Sequence, residues 1–220
     1  ITWHECINGL YARWREKKPI VFSLQSKIVF IYSVITITIT AILFWLLELN
    51  NTLEFMSFPL QCITSLFTAI SSRSAGFLTV FPNDIHPATL FMLNAVAFVG
   101  SAPGSTGAGI KITTFIIFLA AIIAAIRGRT VVHLHNKSMP NTIIFRTLAI
   151  VALGLLWISV VTFCLLITEP SWNFSDVFFE TVSAFSTLGI STGTTPYLSS
   201  IGKILLACTM FVGRVGLLTL

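Results

Sequence analysis

The chain has 220 residues, of which 55% are hydrophobic and only 10% charged, and its mean hydropathy is +0.91. Soluble domains carry about 25% charged residues, so this composition excludes an ordinary soluble enzyme and points to a membrane protein. The net charge of +5 does not indicate nucleic acid as a partner, because the bases sit in clusters between apolar runs, as positive-inside loops do.

Residues 1–27 are polar and basic and read as a cytoplasmic N-terminal segment. Residues 28–47 contain no charge and are long enough to cross a hydrocarbon core of about 30 Å. Residues 55–70 are shorter and stop at Ser71, Ser72 and Arg73, which suits a half-helix that enters and ends. A further span begins at 88–100, breaks over 101–109 and resumes over 112–126. Residues 127–146 form a basic loop, and 148–167 a second uninterrupted span. A short helix over 177–185 follows, with Ser175 and Asp176 as its expected caps. The last helix, 201–220, is interrupted only by Arg214 and its neighbouring glycines. The chain begins without Met and stops inside an apolar run, so it reads as a piece of a longer protein. Cys6, Cys62, Cys164 and Cys208 are far apart and read as small apolar fillers.

Orientation follows from Lys and Arg. Arg13, Arg15, Lys17, Lys18 and Lys27 precede the first span, and Arg127, Arg129, Lys137 and Arg146 lie in or at the end of the middle loop. Both places are cytoplasmic if the first span runs outward. Glu48, Glu54, Asp84, Glu169, Asp176 and Glu180 then fall on the outer side. They are either solvated loop acids or a negative vestibule that concentrates cations. His133 and His135 have no nearby carboxylate or cysteine and read as loop residues.

Two loops repeat. One is Ser72, Arg73, Ser74, Ala75, Gly76 and Phe77; the other is Phe185, Ser186, Thr187, Leu188, Gly189 and Ile190. Gly76 precedes Phe98-Val99-Gly100 by the same number of residues as Gly189 precedes Phe211-Val212-Gly213. A re-entrant loop at membrane depth must be buried in protein or line a water-filled path. A dehydrated cation needs several oxygens at contact distance, which backbone carbonyls supply. Glycine permits the dihedrals such a loop demands, and a preceding short helix turns its negative end toward the site. These residues are the candidate ion filter. Arg73 is expected to brace its loop against a carboxylate or carbonyls, with Glu180 as a candidate partner.

The segment from Pro103 through Gly104, Ser105, Thr106, Gly107 and Gly109 to Lys111 resembles a phosphate loop, but Ile110 separates the last glycine from the lysine and no strand precedes. A helix broken by small residues at mid-membrane suits a cavity lining; the alternative is a short cytoplasmic loop. Arg214 lies in an apolar helix, where a charge faces a cavity or a partner; ion pairing or snorkelling is the alternative.

In combination these stretches, together with Ser101 and Gly100 before the break and Met210-Phe211-Val212-Gly213-Arg214-Val215-Gly216, resemble the Trk/Ktr/HKT superfamily of potassium transporters, and the bacterial Ktr-type membrane subunit above all. The resemblance implies an all-α membrane protein built from helix–pore loop–helix repeats, four to a chain, around a pseudo-fourfold potassium-channel-like pore. Residues 28–126 would be the third repeat, with its second helix broken, and 147–220 the fourth, truncated; the first two repeats are absent. Ser74 stands where the family usually has Thr, which keeps the hydroxyl. Gly100, Ser101, Pro103, Gly104, Ser105, Thr106, Gly107, Gly109 and Lys111 would form a flexible intramembrane gate, with Arg214 as a pore-facing barrier.

The implied function is potassium uptake through a carbonyl-lined filter, down the electrochemical gradient or coupled to sodium or protons. Potassium, or potassium and sodium, would be cargo. The chain would bind no cofactor or resident metal and would not be an enzyme. Expected partners are membrane lipid, a second copy in a homodimer, a cytosolic nucleotide-binding regulatory subunit and the missing first two repeats, in a bacterial inner membrane. The rival reading is a secondary carrier with broken helices and a mid-membrane solute site, which predicts inverted repeats. Here the two copies run in the same direction. A non-transporting scaffold gives no reason for matched glycine loops.

Overall fold

The computed structural model describes residues 24–73, 75–100, 102–103, 105, 107–129, 131–134 and 137–216. Its helices are α1 (Leu24–Glu48), α2 (Phe58–Ser71), α3 (Pro87–Phe98), α4 (Ile112–Ile126), α5 (Asn141–Thr168), α6 (Phe174–Ser186) and α7 (Ser200–Val215). The only strands among the described residues are β1 (His133–Leu134) and β2 (Lys137–Ser138), an antiparallel pair in the middle loop. His135 lies outside the described residues.

α1 is rich in Ile, Val and Thr, which favour strands in water. Its apolar length decides otherwise, since a segment in lipid must satisfy its own backbone hydrogen bonds. Among the described residues, Ser26–Glu48 and Asn141–Thr168 are the two helices long and apolar enough to cross a membrane, with mean hydropathies of 2.3 and 2.7. Both carry large outward apolar side chains, among them Phe30 (68% exposed) and Phe163 (65%). α2 starts at Phe58, a little later than the sequence suggests, because Pro59 suits a first helical turn. α5 starts well before residue 148, directly after Pro140.

The order long helix, short helix, loop, 3₁₀ turn, second helix occurs twice. The turns are Pro82–Asp84 before α3 and Thr195–Tyr197 before α7. α2 packs on α1, α6 on both α5 and α7, and α3 crosses between the copies to pack on α6. Phe44, Leu93, Ala97, Ile158, Phe179 and Phe185 form part of one core that joins the two copies. α3 stops at Phe98, and α4 resumes the path after a break closed by the bond from Ile110 N–H to Phe98 O at 3.3 Å.

Two expectations are corrected at helix ends. Asn173, not Ser175 or Asp176, occupies the N-cap of α6, and those two residues form its first turn. α7 ends at Val215, where Gly216 takes φ 86°; residues 217–220 lie outside the described residues.

Candidate functional site

The two short helices deliver their C-terminal ends to the glycine loops. After α2, the N–H groups of Ala75 and Gly76 both donate to Ser71 O. After α6, Thr187 N–H donates to Ala184 O and Leu188 N–H to Ser183 O, the pairing of a Schellman cap. That cap requires a left-handed residue. Thr187 takes φ 51°, the single positive value among the described non-glycine residues. A β-branched residue there is strained, and such strain concentrates at functional positions.

Matching serines anchor the outgoing limbs. Ser71 Oγ donates to Phe77 O at 2.6 Å, and Ser183 Oγ donates to Ile190 O at 2.5 Å. The carbonyls of Phe77 and Ile190 are therefore turned toward the short helices. Gly76 and Gly189 follow φ values of +72° and +85°. The loops meet directly: a Cβ on Gly76 would lie 2.3 Å from Leu188 O. The absent side chain at Gly76 is what permits this approach.

Behind the loops the copies differ. In the first, Thr68 Oγ1 and Thr79 Oγ1 are 3.2 Å apart. In the second, Glu180, which matches Phe67 by the glycine spacing, backs the loop and is buried to 5% exposure. Its Oε1 accepts the Thr192 N–H at 3.0 Å, the Thr192 hydroxyl at 3.3 Å, the Thr194 hydroxyl at 3.0 Å and the Ser191 hydroxyl. Its Oε2 accepts the Thr195 hydroxyl at 2.7 Å. Glu180 thus holds the outgoing limb of its own loop, and Arg73 is not among its partners. A cavity of about 700 Å³ adjoins this loop, lined by Glu180, Ser183, Thr187, Gly189, Lys203 and Met210 among others.

Glu180→Leu strands several buried donors at once, each at about 1–3 kcal/mol. It is expected to lower the thermal midpoint of the detergent-solubilised full-length protein by several degrees, whereas Glu180→Gln retains an acceptor oxygen and falls between. Equal midpoints for wild type and Glu180→Leu would refute this bracing role.

The broken segment reaches the second loop. Ala108 N–H donates to Thr187 Oγ1 at 3.1 Å, and a Cβ on Gly109 would lie 3.5 Å from the Ser186 backbone. Phe98 stacks on Phe185 with ring centroids 6.2 Å apart. Lys111, at the N-cap of α4, donates to Gly107 O and lies close enough to Arg214 for their charges to repel. Gly213 presses α7 against the second loop, since a Cβ there would lie 1.9 Å from Phe185 O.

The structure thus gathers Gly76, Phe77, Phe185 to Ile190, Gly107, Gly109, Lys111 and Arg214 around one region. Gly100 and Pro103 belong to the break, where a Cβ on Gly100 would meet Ala108 O at 2.2 Å. Ser74, Ser101, Gly104 and Thr106 lie outside the described residues.

Sequence reasoning undervalued three acids. Glu48, Glu169 and Glu180 are buried and hydrogen-bonded, so they are neither solvated loop acids nor a free vestibule charge. Glu180 lies inside the short helix at 177–185, where a lone charge was an available signal; Glu48 and Glu169, at the ends of apolar runs, offered none. Glu54 and Asp84 are exposed, and Asp176 partly so.

Comparison with known proteins accords with this arrangement. The family model described as TrkH, cation transport protein, matches residues 15–220. Ktr system potassium uptake protein B of Bacillus subtilis (strain 168) is 34% identical over 212 residues, covering 96% of this chain and 47% of that protein. Potassium/sodium uptake protein NtpJ of Enterococcus hirae is 28% identical over 223 residues, covering 100% of this chain and 48% of that protein. The crystal structure of the potassium transporter TrkH from Vibrio parahaemolyticus shares the fold, with a TM-score of 0.75 at 18% identity over 97% of this chain and 46% of that one. The chain spans about half the length of the curated relatives it matches. A membrane chain in which two helix–loop–helix units meet at their glycine loops, and which the family model covers almost throughout, belongs to the TrkH cation transport protein family, a family of transporters rather than enzymes.

Proposed function

We propose that this chain supplies half of a potassium-uptake pathway, with its two glycine loops as two quadrants of a four-part carbonyl filter. The observation that carries the reading is the meeting of Gly76 with Leu188 O. Two loops of the same kind, each following a short helix, converge on one place, as quadrants of a ring must. Residues 28–126 and 147–220 act as the third and fourth repeats, and a further half of the same protein supplies the rest. The names of the Bacillus subtilis and Enterococcus hirae relatives support potassium as cargo, with sodium as a second ion.

The segment from Gly100 to Lys111 acts as the gate. Its support is the bond from Ala108 to Thr187, which ties the break to the inner end of the second loop. Lys111 and Arg214 add positive charge to the route below, where a cation meets repulsion. The protein works in a bacterial inner membrane with residues 1–27 and 127–146 in the cytoplasm. It pairs with a second copy and answers to a cytosolic nucleotide-binding subunit, as the family resemblance implies.

The test is growth of a potassium-uptake-deficient bacterium at low potassium, with the full-length gene and its regulatory partner supplied. Wild type is expected to restore growth. Gly189→Ser imposes a positive φ on a side-chain-bearing residue, at about 1–2 kcal/mol, and is expected to slow growth at low potassium while allowing normal growth at high potassium. A membrane-inserted wild type that does not rescue would refute potassium uptake. Equal rescue by both would refute the filter assignment.

A further inference from the structure

Two carboxylates stand where a helix end disfavours them. Glu48 is the last residue of α1, and Glu169 is the C-cap of α5. The C-terminal end of a helix carries partial negative charge, which repels an anion. Both side chains are nonetheless buried, Glu48 at 0% exposure and Glu169 at 7%.

The same contact offsets this in both copies. Glu48 Oε1 accepts the backbone N–H of His86 at 2.9 Å. Glu169 Oε1 accepts the backbone N–H of Ser199 at 2.8 Å. His86 and Ser199 are the N-caps of α3 and α7, where the helix dipole attracts an anion. They are as far apart in sequence as Gly76 and Gly189, so they occupy the same place in the two copies. The carboxylates do not share that spacing: Glu48 precedes Gly76 by more residues than Glu169 precedes Gly189. The connecting segment has changed length while the contact has stayed.

Local support also differs between the copies. Glu48 Oε2 accepts Asn51 Nδ2 at 2.8 Å and the Thr52 hydroxyl at 3.0 Å. Asn51 Nδ2 in turn donates to Asp84 O at 2.7 Å, in the turn just before α3. At Glu169, room comes from Gly202 in the first turn of α7, where a Cβ would lie 2.8 Å from Oε1. Two different surroundings converge on one contact.

We propose that Glu48 and Glu169 are positioning residues, each clasping the end of the first helix of its hairpin to the start of the second. Everything that forms the glycine loop lies between the clasped points, residues 49–85 in one copy and 170–198 in the other. The clasp fixes the depth of the short helix and its loop against the helix that leads to the gate. The inference rests on the potassium-uptake reading above. Carbonyl coordination depends on where the oxygens stand, so a loosened clasp alters ion affinity before capacity.

The test uses the full-length protein, with potassium KM and maximal rate measured per membrane-inserted molecule. Amide hydrogen exchange of the two glycine loops is followed on the same purified variants. Glu48→Leu and Glu169→Leu each remove a charge-assisted hydrogen bond and are expected to raise KM about tenfold or more, with little change in maximal rate. Exchange rises in the loop of the mutated hairpin only. Glu48→Gln and Glu169→Gln keep an acceptor oxygen and are expected to restore KM. Gly202→Ala displaces the Glu169 carboxylate and is expected to reproduce the Glu169→Leu shift, with no further shift when the two are combined. Leu variants with wild-type KM and wild-type exchange would overturn the proposal. So would variants that lose only inserted protein while KM stays unchanged, or a Gly202→Ala protein that behaves as wild type. If wild type takes up no potassium, the uptake reading falls, and the exchange measurement alone decides the clasp.

Discussion

Gly76→Ala is expected to abolish uptake at limiting potassium while leaving the protein in the membrane. Two effects act together at this position. Its φ of +72° costs a side-chain-bearing residue about 1–2 kcal/mol. The new methyl would also stand 2.3 Å from Leu188 O, and relieving such over-packing costs about 1–3 kcal/mol more. Neither neighbour can yield cheaply, because Leu188 O is backbone and Leu188 itself is buried. The loops move apart, and the expected reading is a rise in potassium KM of more than about tenfold. Gly189 has no neighbouring atom within 4 Å of its ideal Cβ among the described residues, so Gly189→Ala bears only the dihedral strain and is expected to be milder. Uptake assays on the pair check the ranking; a Gly189→Ala protein worse than Gly76→Ala would show that contact between the loops is not what matters.

Gly213→Ala is expected to lower the stability of the protein. The added Cβ would lie 1.9 Å from Phe185 O and 2.8 Å from the carbonyl carbon, so α7 must shift away from the end of α6. Over-packing of this kind costs about 1–3 kcal/mol, and the shift also moves Arg214, the next residue, relative to Lys111. A lowered thermal midpoint of the solubilised full-length protein and a smaller inserted amount are the expected readings. A variant with a wild-type midpoint would mean that α7 does not rest on the loop end in the way described.

Much of this was legible in the residues. The apolar runs marked α1 and α5 because length in lipid leaves only a helix, and the matched glycine spacing located both loops. The break between α3 and α4 was legible because the small residues from Gly100 to Gly109 cannot sustain an apolar helix. What could not be read is side-chain pairing across turns. Glu180 was expected near Arg73 because it sits on the other short helix, yet the limb that follows its own loop offers hydroxyl and amide donors closer in sequence, from Ser191 to Thr195. The cap of α6 was misplaced because Asn173, Ser175 and Asp176 are all good capping types, and only geometry chooses among them. Burial of Glu48 and Glu169 was hidden for a related reason: an acid at the end of an apolar run looks the same in sequence whether it enters water or folds back.

The unlike backing of the two loops, a pair of threonine hydroxyls in one and a carboxylate ringed by donors in the other, bears on how such a pore can change over time. In a channel made of four identical subunits, every substitution is repeated at all four positions, so small adjustments are out of reach. In the ring proposed here the quadrants lie along one chain and are already unequal. A change at Thr68 would soften or stiffen a single quarter and leave the others as they were. Ion preference in this architecture can therefore drift in quarter-steps, with the carboxylate-backed quarter as the stiff member against which the rest are adjusted.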